Sequence, residues 1–271
     1  MRISAVYLVK NIQRFFRPIK ALLILAFIML GQNAQADIKL CLDDANFPPF
    51  SFREDDTHTE YQGYTVELIQ YVSEQLGVPI SISHYPWKRC LFMLERGQVS
   101  MVADAYFDPE RAKKFDYSLP YYEMTPQFYY DQRVFPGGIP HLDGPVPLVD
   151  YHGCGIQGYS YEHYGPGHRR LSKTASSQAQ LFLQLARKRC HYVVEELEIV
   201  EGLILLDPAL IDLSEVKHAR PENAISPKVH FIYSKKNSTE KQVINDIDAA
   251  IQKFINSGQA KRVMERIMRP Y

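Results

Sequence analysis

Apolar and polar positions keep two rhythms in turn from Ile38 to Ala103. Ile38 to Leu42 reads as a strand that runs into Asn46-Phe47-Pro48-Pro49-Phe50, where two prolines forbid both a helix and a central strand. Val66, Ile69, Val72 and Leu76 then recur at helical spacing and predict a helix over Thr65 to Leu76, with Gly77 just past its end. Ile80 to His84 is a second strand. A helix through Leu91 and Leu94 follows Pro86 and stops near Gly97, and Val99 to Ala103 is a third strand. Strand, helix, strand, helix, strand is half of a doubly wound α/β lobe.

The rhythm breaks between Phe128 and Gly138 and ends on Pro136-Gly137-Gly138, punctuation typical of a connection, so the first crossing to a second lobe is expected there. A second unit follows, with a strand near Gly155 to Gln157, a helix from Ser177 to Lys188 carrying Leu181 and Leu185, and a strand at Tyr192 to Glu195. His230 to Tyr233 reads as a strand feeding a helix from Thr239, whose Val243, Ile247, Ala250, Ile251 and Phe254 keep helical spacing as far as Gly258. That helix needs a sheet to cover, and the first lobe is the expected host. The reading is 37–127 for the first part of lobe 1, 128–228 for lobe 2 and 229–271 for the return to lobe 1.

Residues 1–36 change the charge picture. Arg2, Lys10, Arg14, Arg17 and Lys20 precede the apolar run Ala21 to Leu30, and Ala34-Gln35-Ala36 supplies a small-x-small cleavage pattern, so a signal peptide cut after Ala36 is expected. The run is short of the roughly 20 residues that span a bilayer core. Its five basic and no acidic residues, taken from 31 of each, leave the rest of the chain about five charges negative, which argues against nucleic acid as a partner. Four cysteines in an exported chain suggest disulfides. Three pairings are open on paper. With the lobes divided as above, Cys41 with Cys90 and Cys154 with Cys190 is the expected one. The histidines and cysteines lack the spacing of structural metal sites, so neither metal nor cofactor is expected.

The residues that carry chemistry sit in four stretches: FPPFSF at Phe47 to Phe52, GYTVELIQYVSEQLG from Gly63, PWKRCLFMLERGQVS from Pro86, and DPERAKKFDYSLPYY from Asp108. In that order and spacing the chain resembles the bacterial family 3 extracellular solute-binding proteins of the polar amino-acid class. The resemblance implies a type II periplasmic-binding fold: two doubly wound α/β lobes joined by two crossing strands and closing on ligand. It also implies a periplasmic receptor, monomeric, that captures a small polar ligand such as an amino acid for an inner-membrane ABC permease.

Residue by residue, Arg111 matches the arginine that grips the ligand's α-carboxylate, a role its planar fork suits. Phe47 and Trp87 match aromatic walls of the pocket. Gly158-Tyr159-Ser160 looks like the second-lobe turn whose N–H groups and Ser160 hydroxyl receive a carboxylate. Glu196 falls where the family places the acid that receives the α-ammonium, with Glu195 one register step away. Two departures stand out. Asp104 and Tyr106 occupy positions where small residues are usual, which suggests a ligand with extra positive charge or one that is not a standard α-amino acid. Two rivals follow from the same fold. One is a sensing partner of a membrane receptor. The other is a cyclohexadienyl dehydratase-like enzyme, for which Asp104, Glu196 or His191 would supply the proton transfer. No nucleophile-base-orienter grouping supports the latter.

Overall fold

The computed structural model describes residues 37–54, 57, 59–140, 151–209, 211, 213–221, 224–235 and 241–269. The segment 1–36 and its expected cleavage point lie outside them. Among the described residues no helix is long and apolar enough to cross a membrane.

In chain order the first elements are β1 (Ile38–Asp43), α1 (Tyr64–Leu76), β2 (Ile80–Tyr85), α2 (Trp87–Glu95), β3 (Met101–Tyr106), β4 (Phe115–Tyr117) and β5 (Tyr122–Glu123). Then come β6 (Pro126–Asp131), β7 (Gly153–Ile156), β8 (Ser172–Ala175), α3 (Gln178–Ala186), β9 (Tyr192–Glu196), α4 (Leu197–Leu206) and β10 (Val216–Ala219). The chain closes with β11 (Lys228–Ser234), α5 (Lys241–Asn256) and α6 (Gln259–Ile267).

These strands make two sheets. The first runs β2-β1-β3-β11-β4, with β5 also paired to β11. Its β1 lies parallel to both β2 and β3, as right-handed strand-helix-strand crossovers require. The second runs β10-β6-β9-β7-β8, with β7 parallel to β8 and β9 and with β6 antiparallel to its neighbours. The chain passes to the second sheet between β5 and β6, at Met124 and Thr125, and returns between β10 and β11. The first passage thus comes ahead of the expected break at Phe128 to Gly138. Residues Pro126 to Asp131 form a central strand of the second sheet, buried at every position, so no two-residue alternation marks it in the sequence.

Helix α1 turns Leu68, Ile69 and Val72 inward. Helix α5 packs against it, and Phe254 meets the rings of Tyr64 and Tyr71 at 5.8 and 5.2 Å. The expected single terminal helix is two: Gly258, in left-handed backbone at φ 72°, ends one and opens α6.

Both expected disulfides are present. Cys41–Cys90 ties β1 to α2, and Cys154–Cys190 ties β7 to the approach to β9, so each bridge stays with one sheet. His152 lies beside the second bridge, but both sulfurs there are already bonded and offer a metal no thiolate.

The two layers also touch away from the strands. Gly202 of α4 faces Pro48, where an added Cβ would stand 2.8 Å from the proline carbonyl carbon. Backbone cannot yield as a flexible side chain does, so Gly202→Ala should destabilise the folded protein by about 1 to 3 kcal/mol. Urea unfolding of the purified variant measures this; an unchanged midpoint would mean that α4 and the Pro48 loop are not held together in solution.

Candidate functional site

The carboxyl ends of β1 and β3 deliver the first group of side chains, as expected for a parallel sheet whose strands end at a crevice. Asp43 closes β1, while Asp104 and Tyr106 lie in the last three residues of β3. Arg111 opens a 3-10 turn five residues on. Trp87 is the first residue of α2, and Phe47 comes from the proline-bearing loop after β1. From the second sheet, the turn after β7 brings Tyr159 and Ser160 across to them. Together with Ser51 these residues line one cavity of about 30 Å³, space for a water or two.

The contacts between the two sides are polar. Arg111 donates from Nη1 to the Tyr106 carbonyl at 3.1 Å and from Nη2 to Ser160 Oγ at 3.2 Å. Ser160 in turn donates to Asp108 Oδ2 at 2.7 Å, and Asp108 Oδ1 accepts the Arg111 backbone N–H at 2.8 Å. The Arg111 guanidinium carbon lies 5.3 Å from the Trp87 ring centroid, a cation-π placement. The Trp87 indole N–H is buried and finds no hydrogen-bond partner among the described residues. Partial burial works to raise the Asp108 carboxyl. The Arg111 N–H, the Ser160 hydroxyl and the Arg111 charge outweigh it and hold Asp108 below the usual range.

Two further acids line the cavity. Burial raises Asp43 to about 6 against the Ala45 N–H, which pulls the other way. Its Oδ2 accepts the Tyr159 hydroxyl at 3.3 Å, a bond between the two sides of the cavity. Asp104 adopts left-handed backbone at φ 59°, rare for a residue with a Cβ. Its Oδ1 accepts from Thr65 Oγ1 at 2.6 Å and from the Tyr121 hydroxyl at 2.9 Å, and burial, opposed by these bonds, raises it also to about 6.

Of the residues expected from sequence, Phe47, Trp87, Asp104, Tyr106, Arg111 and Ser160 are brought together around this cavity. Glu196 is not. It is buried at the end of β9, and its carboxylate meets His163 Nε2 at 2.9 Å. Burial alone would raise it, but the hydrogen bond and charge of His163 lower it instead. Glu195 is buried too and also stays off the cavity. Desolvation, with the charge of Glu196 beside it, pushes its carboxyl well above the usual range. Asp43, Ser51 and the cavity-lining role of Tyr159 were missed by the sequence reading. Asp43 carried a signal, being the acid at the carboxyl end of the first buried strand.

Two α/β sheets, crossed twice by the chain and meeting over a small charged and aromatic cavity, define a type II solute-binding clamp. The chain belongs to the bacterial extracellular solute-binding proteins, family 3, whose profile matches residues 39–270. Over 79 residues it is 34% identical to the L-cystine-binding protein TcyJ of Escherichia coli (strain K12), a match spanning 29% of this chain and 29% of that protein. Among solved structures, it resembles the arginine-, lysine-, histidine-binding protein ArtJ from Geobacillus stearothermophilus with TM-score 0.68 and 18% identity, covering 85% of this chain and 94% of that one. A histidine kinase sensor domain similar to periplasmic binding proteins gives TM-score 0.67 at 15% identity, covering 86% and 96% of the two chains. At these identities the structural likeness is one of fold.

Proposed function

We propose that this protein is a monomeric periplasmic receptor that captures an amino acid or a related small solute and presents it to an inner-membrane ABC permease, after an export signal is cleaved behind Ala36. Each sheet is the centre of one lobe, and the lobes part and close around the cavity. The observation that carries the reading is the Arg111 guanidinium. It lies over the Trp87 ring at the cavity wall, 5.3 Å from its centroid, with one nitrogen engaged by Ser160 of the opposite side and the other by the Tyr106 carbonyl. A ligand carboxylate replacing Ser160 there would bridge both lobes and favour the closed state by its contacts in that state. The amino-acid ligands in the names of TcyJ and ArtJ support the same solute class.

Likeness to a sensor domain favours a second reading, delivery of the liganded clamp to a membrane receptor. Loss of solute uptake on gene deletion supports the permease, and loss of a transcriptional response with uptake intact supports the receptor. The dehydratase reading has less support. Its nominated groups do not converge: Asp104 lines the cavity, Glu196 is bonded to His163, and His191 Nδ1 accepts the His152 N–H at 2.7 Å.

A thermal-shift screen of the purified protein against amino acids, cystine and small carboxylates tests the proposal. A ligand at 100 times its dissociation constant stabilises the fold by about 2.7 kcal/mol, a rise of roughly 5 to 10 °C in Tm for a chain of this size. Trp87 is the one tryptophan in the chain, so the same ligand should change its fluorescence. No shift with any of these compounds would overturn the reading.

A further inference from the structure

Family resemblance points to Glu196 for a ligand's ammonium, yet Glu196 is already committed. Its partner is His163, and the two side chains are only 2% and 8% exposed. Drawing Glu196 to a ligand would break a buried hydrogen bond and leave His163 Nε2 without that partner. His163 stands three residues beyond Ser160, so the pair fastens the segment that bears Tyr159 and Ser160 to the end of β9.

The first sheet supplies the alternative. Asp104 is held in left-handed backbone by three bonds, two onto Oδ1 and one from its own N–H to the Tyr121 hydroxyl at 2.7 Å. Among the described residues none falls on Oδ2. Strained backbone around a half-buried acid at a cavity wall is a recurrent mark of function. Asp43 accepts from the Ala45 N–H and the Tyr159 hydroxyl, each at 3.3 Å, and from the Trp87 backbone N–H, all of them uncharged donors. With Arg111 set against a ligand carboxylate, these two acids remain without a cation.

We propose that Asp43 and Asp104 together receive the cationic part of the ligand, while Glu196 only positions the Tyr159–Ser160 turn through His163, so that the site prefers solutes with two cationic groups and one carboxylate over neutral zwitterions. This deepens the receptor reading above and rests on it.

Calorimetry with ornithine, glutamine, alanine and glutamate as probes tests the assignment in the wild type and in Asp43→Asn, Asp104→Asn and Glu196→Gln, each checked for folding by circular dichroism. Ornithine is expected to bind at least tenfold tighter than glutamine or alanine, with glutamate weakest. Each aspartate variant should lose at least tenfold for ornithine and abolish the preference. Glu196→Gln should weaken all binders by one common factor and keep the preference, which a ligand-contacting acid would not do. Glutamine or alanine bound as tightly as ornithine would overturn the inference and leave the receptor reading standing. Loss of the preference in Glu196→Gln alone would return the cation to Glu196. Failure of every amino acid to bind would overturn both.

Discussion

Replacing Arg111 by alanine is expected to weaken ligand capture by about 2 to 5 kcal/mol, a loss of roughly 30- to several-thousand-fold in affinity, with the fold intact. The size follows from what the guanidinium does. It lines the cavity over the Trp87 ring, 5.3 Å from its centroid, with a planar fork of N–H donors, so a carboxylate bound there is desolvated and its loss of partner is not made good by water. The fold should survive because the side-chain bonds that disappear, to Ser160, the Tyr106 carbonyl and Tyr117, are made around the cavity and not within the packed core of either sheet. The backbone N–H still caps on Asp108. Calorimetry with the best ligand from the thermal screen, alongside circular dichroism, measures both halves. A folded variant with unchanged affinity would remove Arg111 from the site.

The second expected result runs in the opposite direction. Asp104→Asn should make the unliganded protein more stable at neutral pH, by about 2 to 3 kcal/mol. The native state holds the Asp104 proton up to about 6, whereas an unfolded aspartate releases it near 3.8, chiefly because burial penalises the charge. The proton therefore favours the folded state. That stabilisation is complete below the unfolded value and is lost as pH rises through about 6. At about 1.4 kcal/mol per pH unit the loss approaches 3 kcal/mol by pH 7, and the uncharged amide avoids it. Asparagine also tolerates the left-handed backbone at φ 59° and can accept the Thr65 and Tyr121 bonds. Urea unfolding across pH 4 to 8 should show the two proteins converging at the acid end and separating above pH 6. Parallel curves would mean that the carboxyl titrates normally. A gain in stability paired with a loss of binding is the pattern expected where a site holds a strained, desolvated charge for its ligand.

Much of this protein was legible from its sequence. Strands β1 and β2 and helices α1 and α2 carry local signals: short apolar runs, helical spacing of Val66, Ile69 and Val72, and glycine at the ends. The family resemblance carried by the four motifs implied a shared pocket for Arg111, Trp87 and Phe47, and the three line one cavity, as residues following the carboxyl ends of parallel strands share a crevice. Cysteine positions agreed with a division into two layers, and the bridges follow it.

Other features were decided only by the tertiary structure. Strand β6 is buried along its whole length between β9 and β10, and α4 is apolar on most faces with Gly202 against Pro48, so neither shows a period that a local pattern can reveal. The choice among the acids was beyond any pattern. Asp43, Asp104, Glu195 and Glu196 all lie within the last three residues of strands and differ little in spacing. What separates them is which side chain faces the space between the sheets and which meets a partner such as His163 first. That depends on side-chain direction at the strand ends and on how closely the two layers approach, which is set by packing between residues far apart in the chain.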